Sequence, residues 1–291
     1  MTPRLAVFGP TAVGKSAFAV ELALAVGGEI VNADAVQVYR GFDRGAAKPD
    51  MAERRGVAHH LLDVADPGME LSVATYQALA EGVVREIERR GAVPIVSGGS
   101  GLYLRAALGE WQAFGAPPDP ALRSWAALAD AKEVYLRARA ADPTAAEALS
   151  PRDRPRLVRV IERAAAHRAA APAPNPRPFL KIGLWRPRRE LYRRIDERAE
   201  AIWPHLLRET ARLSERGDAA RLLVGRTLGY REAALRLAGE VGDDEGIRRL
   251  QTATRHFAKR QLTWWRREPD TIWLRPEAGV AQLLGCLELR D

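Results

Sequence analysis

Gly9-Pro10-Thr11-Ala12-Val13-Gly14-Lys15-Ser16, the stretch GPTAVGKS, decides how the rest of the chain is read. It fits the spacing Gly-x-x-x-x-Gly-Lys-Ser of a phosphate-binding loop, and each residue type has a mechanical reason to be there. The glycines let the backbone curl until successive N–H groups point inward. Lys15 adds a mobile cation, and Ser16 offers a hydroxyl to Mg²⁺. The flanks agree: RLAVFG (4–9) is a buried-strand run, and GKSAFAVELALAVG (14–27) repeats apolar residues at helical spacing, with Gly27-Gly28 as its stop. A helix starting near Lys15 adds roughly half a positive charge to the loop. Such a loop recognises a diphosphate, whether or not a nucleoside is attached.

Further along, GEIVNAD (28–34) reads as a second strand, LSVATYQALAEGVVREIERR (71–90) as a helix, and AVPIVSG (92–98) as a third strand. This alternation predicts an α/β fold, a P-loop NTPase-like, mainly parallel sheet flanked by helices. The texture changes at FGAPPDP (114–120) and again at APAPNPRP (171–178), with only Ala- and Arg-rich, helix-forming segments between them. Two breaker-rich hinges around a helical block predict three parts. Residues 1–112 are the first part of the P-loop core, 113–178 a helical insertion subdomain, and 179–291 the completion of the core. The last part opens with the strand FLKIGLW (179–185) and continues in helices to nearly the end.

At 291 residues the chain is long enough to bury a sizeable core, and its 45 Lys+Arg against 37 Asp+Glu leave a net charge of +8. Residues 1–110 carry 11 basic and 13 acidic groups, residues 111–178 carry 11 and 7, and residues 179–291 carry 23 and 17. A near-neutral loop-bearing part and a positive remainder suit a protein that holds a small ligand with one and a polyanion with the other. Cys286 is the only cysteine, which excludes an internal disulfide. The opening MTPRLAVFGP has too short an apolar run for a signal peptide, and no stretch approaches the ~20 apolar residues of a spanning helix. The expectation is a soluble, cytoplasmic protein with no membrane contact and, since nothing specifies an interface, a monomer. His59-His60 lacks the cysteine or carboxylate–His spacing of a zinc site, and HHLLD, leading into a helix, reads as packing and capping.

A small-molecule kinase holding ATP is the default reading of a short P-loop enzyme. In NADAVQVYRGFDRGAAKPD (32–50), however, Asp34 falls at the end of the second strand, where sheets of this class present ligand-contacting groups. A carboxylate there serves as a Mg²⁺ ligand, a general base or the cap of the following turn. In ELYRRIDERAEAIW (190–203), Leu191, Ile195, Ala199 and Ile202 recur at helical spacing, while Arg194 and Arg198 share another face. Arg156, Arg159 and Arg163 form a basic helical row opposite Leu157, Val160 and Ile161. TRHFAKRQLTWWRR (254–267) sets Arg255 and Lys259 one turn apart with Trp264 and Trp265 nearby, a second candidate for tracking a phosphate backbone.

Seven blocks in order carry a resemblance along nearly the whole chain: GPTAVGKS (9–16), ADAVQVYRGFDRGAAKP (33–49), HHLLDVADP (59–67), VSGGSGLYLRAAL (96–108), RIDERAEAI (194–202), GRTLGYREA (225–233) and TRHFAKRQLTWWR (254–266). With these the chain resembles the tRNA dimethylallyltransferases, or isopentenyltransferases. The resemblance implies transfer of the dimethylallyl group from dimethylallyl diphosphate to the exocyclic amine of the adenosine just 3′ of the anticodon, with Mg²⁺. It implies that the loop, Gly9, Pro10, Thr11, Ala12, Val13, Gly14, Lys15 and Ser16, holds an isoprenoid diphosphate together with Arg198. It makes Asp34 the base that accepts a hydrogen of the amine, and Lys15, Ser16 and Arg198 the groups that meet the departing diphosphate. The tRNA anticodon stem-loop is then contacted by Asp34, Ala35, Val36, Gln37, Ser100 and Arg123. Further contacts come from Pro155, Arg156, Leu157, Val158 and Arg159, and from Arg226, Thr227, Leu228, Gly229, Tyr230 and Arg231. Three positions depart from the family's pattern. Ser100 stands where Thr is usual, Pro155 where Gln commonly precedes the Arg, and Ala35 where Ser is usual.

Overall fold

The computed structural model describes residues 3–69, 71–111, 118–165 and 178–288. They form two compact units, one of Met1–Trp111 with Asn175–Asp291 and one of Gln112–Pro174.

The larger unit is built on a six-stranded sheet in the order β3-β2-β4-β1-β5-β6. Its strands are β1 (Leu5–Phe8), β2 (Gly28–Asn32), β3 (His59–His60), β4 (Val93–Gly98), β5 (Leu180–Leu184) and β6 (Thr271–Leu274), and every pairing is parallel. Parallel strands need crossover connections and bury both faces, so β1 reads LAVF with all four residues buried. Alternation along it sends Leu5 and Val7 to one core, with Phe18, Leu22, Ile95 and Leu191, and Ala6 and Phe8 to the other, with Tyr76, Ile87, Val96 and Trp265. Burying a side chain such as Phe8 or Leu22 contributes about 1.5–3 kcal/mol relative to leaving it exposed.

Helices α1 (Lys15–Val26), α2 (Met51–Arg54), α3 (Val73–Arg89) and α4 (Gly101–Ala107) fill the first half of this unit. Ser72 caps α3 by accepting from the N–H of Thr75, and Asp50 and Glu53 close a reciprocal capping box on α2. The second half holds α9 (Arg188–Ser214), α10 (Asp218–Arg226), α11 (Tyr230–Leu237), α12 (Asp243–Trp265) and α13 (Gly279–Glu288).

The smaller unit packs α5 (Pro120–Leu128), α6 (Ala131–Ala141), α7 (Pro143–Glu147) and α8 (Arg154–Ala165) around Leu122, Val134, Ala138, Leu157 and Val160. Inside it Glu162 is buried, and it accepts from Arg123, Arg159 and the N–H of Asp119. Burial pushes the Glu162 carboxyl up, but these donors outweigh it and hold the group below the ordinary carboxylate range.

Two local readings change in the structure. The C-terminal part is not helical throughout: TIWL forms β6, four residues long, beside β5. A run that short carries no readable period of its own and becomes a strand only through the edge it joins. HHLLD does not lead directly into a helix. His59 and His60 pair with Ile30 and Val31 as an edge strand, and the next helix begins at Val73. His60 Nε2 lies 2.6 Å from Glu29, and burial holds the His59 imidazole below its ordinary range.

Candidate active site

The loop between β1 and α1 takes backbone angles that its sequence supplies. Gly9 has φ of 152° and Gly14 of 109°, both in the region that favours glycine, and Ala12 sits left-handed at 62°. A Cβ on Gly9 would meet the Leu184 carbonyl at 2.5 Å, so the first glycine also answers to close packing against β5. The loop's carbonyls are turned toward cations: Lys15 Nζ donates to Pro10 (2.8 Å), Arg194 to Ala12 (2.9 Å) and Arg186 to Val13 (2.8 Å). With those oxygens engaged, the first-turn N–H groups of α1 are left to face an anion.

Lys15 and Arg198 come together from distant parts of the chain, one from the first turn of α1 and one from α9. Both line a cavity of about 840 Å³ and also a narrower one of about 110 Å³ that contains Asp34, Gln37, Gly98 and Gln261. Ser16, Ala47 and Pro49 are shared by the two cavities as well, so Lys15 and Arg198 stand at their junction. Burial pushes the Lys15 ammonium down to about 8, partly opposed by the charge of Asp34 and reinforced by that of Arg198. Burial is also the first cause that lowers Arg198, with Asp34 and Glu53 opposing and the charge of Arg194 adding to the lowering. An arginine so lowered stays charged, so the junction carries one fixed cation and one whose proton loss is drawn down to about 8.

Asp34 fulfils the cap reading and leaves the others open. Its Oδ1 accepts from the N–H of Val36 (2.8 Å) and Gln37 (3.3 Å), fixing the turn after β2, while Oδ2 makes no hydrogen bond among the described residues. Ser100, at the start of α4, supports that turn, its Oγ accepting from the N–H of Ala35 at 3.0 Å. Gln37 uses its amide nitrogen to hold the carbonyls of Ala46 and Ala47. A Cβ on Gly98 would meet the Ala33 carbonyl at 2.1 Å, a contact that keeps β4 tight against the strand end bearing Asp34.

Several residues that build this site carry no local signal. Gln261, buried in α12, accepts from the N–H of Thr11 (2.8 Å) and donates to the carbonyl of Gly99 (2.8 Å), tying the phosphate loop to the Ser100 loop. Glu209 of α9 accepts from the N–H groups of Asp43 and Arg44 and from the Tyr230 hydroxyl at 2.6 Å. Lys48, also buried, holds the carbonyl of Tyr39 and the carboxylates of Asp43 and Asp63. Together they fix the 37–50 segment that borders both cavities.

The residues expected to meet tRNA divide by exposure. Pro155, Arg156, Arg226 and Arg123 are exposed and Arg159 is partly exposed, the guanidinium groups of Arg123 and Arg159 resting on Glu162. Leu157, Val158 and Tyr230 are buried, so their side chains pack the cores that present their neighbours. Thr227 bonds the Leu223 carbonyl, and Gly229 turns the chain with φ of 90°. Arg231 pairs with Glu232, and Leu228 is half-buried. The TRHFAKRQLTWWRR helix is less basic outward than its composition suggests. Arg255 pairs with Asp196, Trp265 is wholly buried against Phe8, and Trp264 packs over Gly101 beneath Arg105.

A parallel sheet with a phosphate loop after its β1 strand, and a carboxylate from the β2 end facing the same cations, defines a P-loop enzyme of the group-transferring kind. The model of a family described as IPP transferase matches residues 37–268. A tRNA dimethylallyltransferase of Anaeromyxobacter dehalogenans is 44% identical over 289 residues, covering 95% of this chain and 94% of that one. The solved tRNA isopentenylpyrophosphate transferase of Bacillus halodurans is 33% identical, with a TM-score of 0.69 over 94% of this chain and 90% of its own. A solved eukaryotic dimethylallyltransferase acting on tRNA has the same fold, with a TM-score of 0.83 at 22% identity over 99% of this chain and 79% of its own. This chain belongs to the IPP transferase family.

Proposed function

We propose that the chain transfers the dimethylallyl group of dimethylallyl diphosphate to the exocyclic amine of the adenosine 3′-adjacent to the anticodon in tRNA, forming isopentenyladenosine. The observation that carries this reading is the junction of Lys15, Arg198 and Asp34: two cations on the side of the phosphate loop face a carboxylate with an unoccupied lone-pair set across one narrow cavity.

In the step, the allylic C–O bond breaks, its electron pair leaves with the diphosphate, and the amine nitrogen bonds the allylic carbon. The nitrogen's proton passes to Asp34. Negative charge grows on the leaving diphosphate, so cations and N–H groups already aimed there lower the barrier without reorganising. The acceptor is an aromatic amine whose lone pair is delocalised into the ring, and a carboxylate accepting its hydrogen restores density as the bond forms. An unpaired loop adenosine costs little to extrude from its stack into such a cavity.

The residues present fit a divalent cation of the Mg²⁺ type. Ser16 borders both cavities with a hydroxyl that makes no hydrogen bond among the described residues, and no cluster of three or more His, Cys, Asp or Glu competes there. Magnesium prefers few protein ligands, substrate phosphate oxygens and water. When bound, it would neutralise charge on the diphosphate, with Ser16 as its protein ligand.

The exposed arginines of the helical insertion, residues 113–178, and Arg226 support backbone contact with the anticodon stem-loop. No helix of the described residues is long and apolar enough to cross a membrane. A cytoplasmic monomer is the state this reading assigns.

The test is nucleoside mass spectrometry on unmodified tRNA incubated with the protein, Mg²⁺ and dimethylallyl diphosphate, beside a reaction with ATP and no prenyl donor. The expected product is an adenosine heavier by one dimethylallyl group, dependent on the donor and absent with Lys15→Ala. Unchanged tRNA with hydrolysis or phosphate transfer from ATP would make the loop a nucleotide cradle and overturn the proposal.

A further inference from the structure

A separate cavity of about 530 Å³ lies beyond the C-terminal ends of β5 and β6. Its walls are aromatic, with Trp185 following β5, Trp273 in β6 and Tyr192 in α9, and Trp185 is 40% exposed. Arg188, Lys259 and Arg266 border it from α9 and α12. Among the described residues, none of these three cations forms an ion pair and no carboxylate lines the cavity. The Arg188 guanidinium sits 5.0 Å from the centre of the Tyr192 ring and that of Arg255 5.9 Å from it, so the ring already holds cations by its π face. A surface of this kind, flat π faces beside unneutralised cations, matches one chemistry: a planar heteroaromatic ring carrying a phosphate.

We infer that this cavity binds one nucleotide, its base stacked on the Tyr192 and Trp185 walls and its phosphate among Arg188, Lys259 and Arg266. Two sources supply that chemistry, an unpaired nucleotide of the RNA substrate or a free mononucleotide. The first is within reach. Phe257 and Gln261 of α12 line the Asp34 cavity while Lys259 and Arg266 of the same helix line this one, so the two sites are separated by about one helix diameter, 10–12 Å. Only this first source rests on the proposed reaction.

Calorimetric titration of the full chain with AMP and with CMP tests the free-nucleotide source, and affinity for an unmodified anticodon stem-loop tests the RNA source. Each is measured for the parent, Lys15→Ala, Tyr192→Ala and the surface variant Arg188→Glu, with thermal melts to show that the variants fold. Stacking on one ring predicts a loss of at least about fivefold in Tyr192→Ala, with Tyr192→Phe restoring it. Mononucleotide binding that survives Lys15→Ala and weakens in Tyr192→Ala and Arg188→Glu assigns the cavity to free nucleotide. Stem-loop affinity that weakens in the same two variants, without mononucleotide binding, assigns it to the RNA strand. If neither ligand responds to Tyr192 or Arg188, or if nucleotide binding is lost only with Lys15, the inference is wrong. Prenyl transfer by the parent enzyme is scored separately by mass spectrometry, so failure here leaves the transferase reading standing.

Discussion

Asp34 combines two tasks in one carboxylate, and substituting it with its amide separates them. Oδ1 accepts two backbone N–H groups of the turn after β2, a role that an amide oxygen performs equally well. Accepting a proton from the amine is a role that an amide cannot take over. Asp34→Asn should therefore keep the turn and its stability within a few tenths of a kcal/mol, yet lose turnover by about 10²-fold or more, the usual contribution of a positioned general base. Asp34→Ala should show the same loss of turnover and an added destabilisation of about 1 kcal/mol, from the missing cap. Donor binding should survive both changes. Arg198 and the loop N–H groups remain for the diphosphate, and loss of the Asp34 charge draws the Lys15 proton affinity lower still, so donor affinity should hold where Lys15 keeps its proton and begin to fall at a lower pH than in the parent. The assay is single-turnover prenylation of an anticodon stem-loop at saturating donor, read by mass spectrometry, with thermal melts and donor titrations alongside. Transfer by Asp34→Asn within about threefold of the parent would falsify the base assignment. A melting loss equal in Asn and Ala would refute the separation of roles.

Three further outcomes follow from the geometry. Lys15 gives up its proton near 8 rather than at the ordinary 10.5 because burial penalises its charge. Donor affinity of the free enzyme should thus be full below that pH and fall as pH rises through it. Over the window from about 8 to 10.5 the unfolded chain holds the proton that the folded one has lost, so ligand-free stability should rise. Lys15→Met should flatten both curves, checked by donor titration and by melts against pH. Gln261→Leu leaves the Thr11 N–H and the Gly99 carbonyl without partners, at a cost of about 1–3 kcal/mol each. Gln261→Glu keeps the first bond and loses the second, so its melting temperature should fall between Leu and the parent. If tRNA is held through its phosphates, log affinity for the stem-loop should fall steeply with log salt while donor affinity changes much less, and parallel slopes in filter-binding titrations would exclude backbone contact.

The phosphate loop, the strands and helix on either side of it, and Asp34 at the second strand's end were legible because their determinants are local. A loop of fixed glycine spacing needs only its own backbone angles, and a helix or buried strand of normal length declares its period. Arg198 was legible as part of a helical face and acquired its partner by resemblance. What could not be read locally was the set of contacts that holds the loop and the Asp34 turn in place. Gln261 reaches Thr11 across 250 positions, Arg186 reaches Val13 across 173 and Glu209 reaches Asp43 across 166. Gln261 and Glu209 are ordinary polar residues on helices and Arg186 lies in the loop after β5, and each is indistinguishable in sequence from a solvated one. Trp264 and Trp265 show the converse, since composition placed them beside a basic row while packing turned them into the core against Gly101 and Phe8. The sequence alone therefore determined the chemistry offered at the site, because backbone geometry and residue type set it within a few positions. The tertiary structure decided which cations flank which carboxylate and which helical residues carry that arrangement, because those depend on how distant elements pack, and no periodicity within one element encodes it.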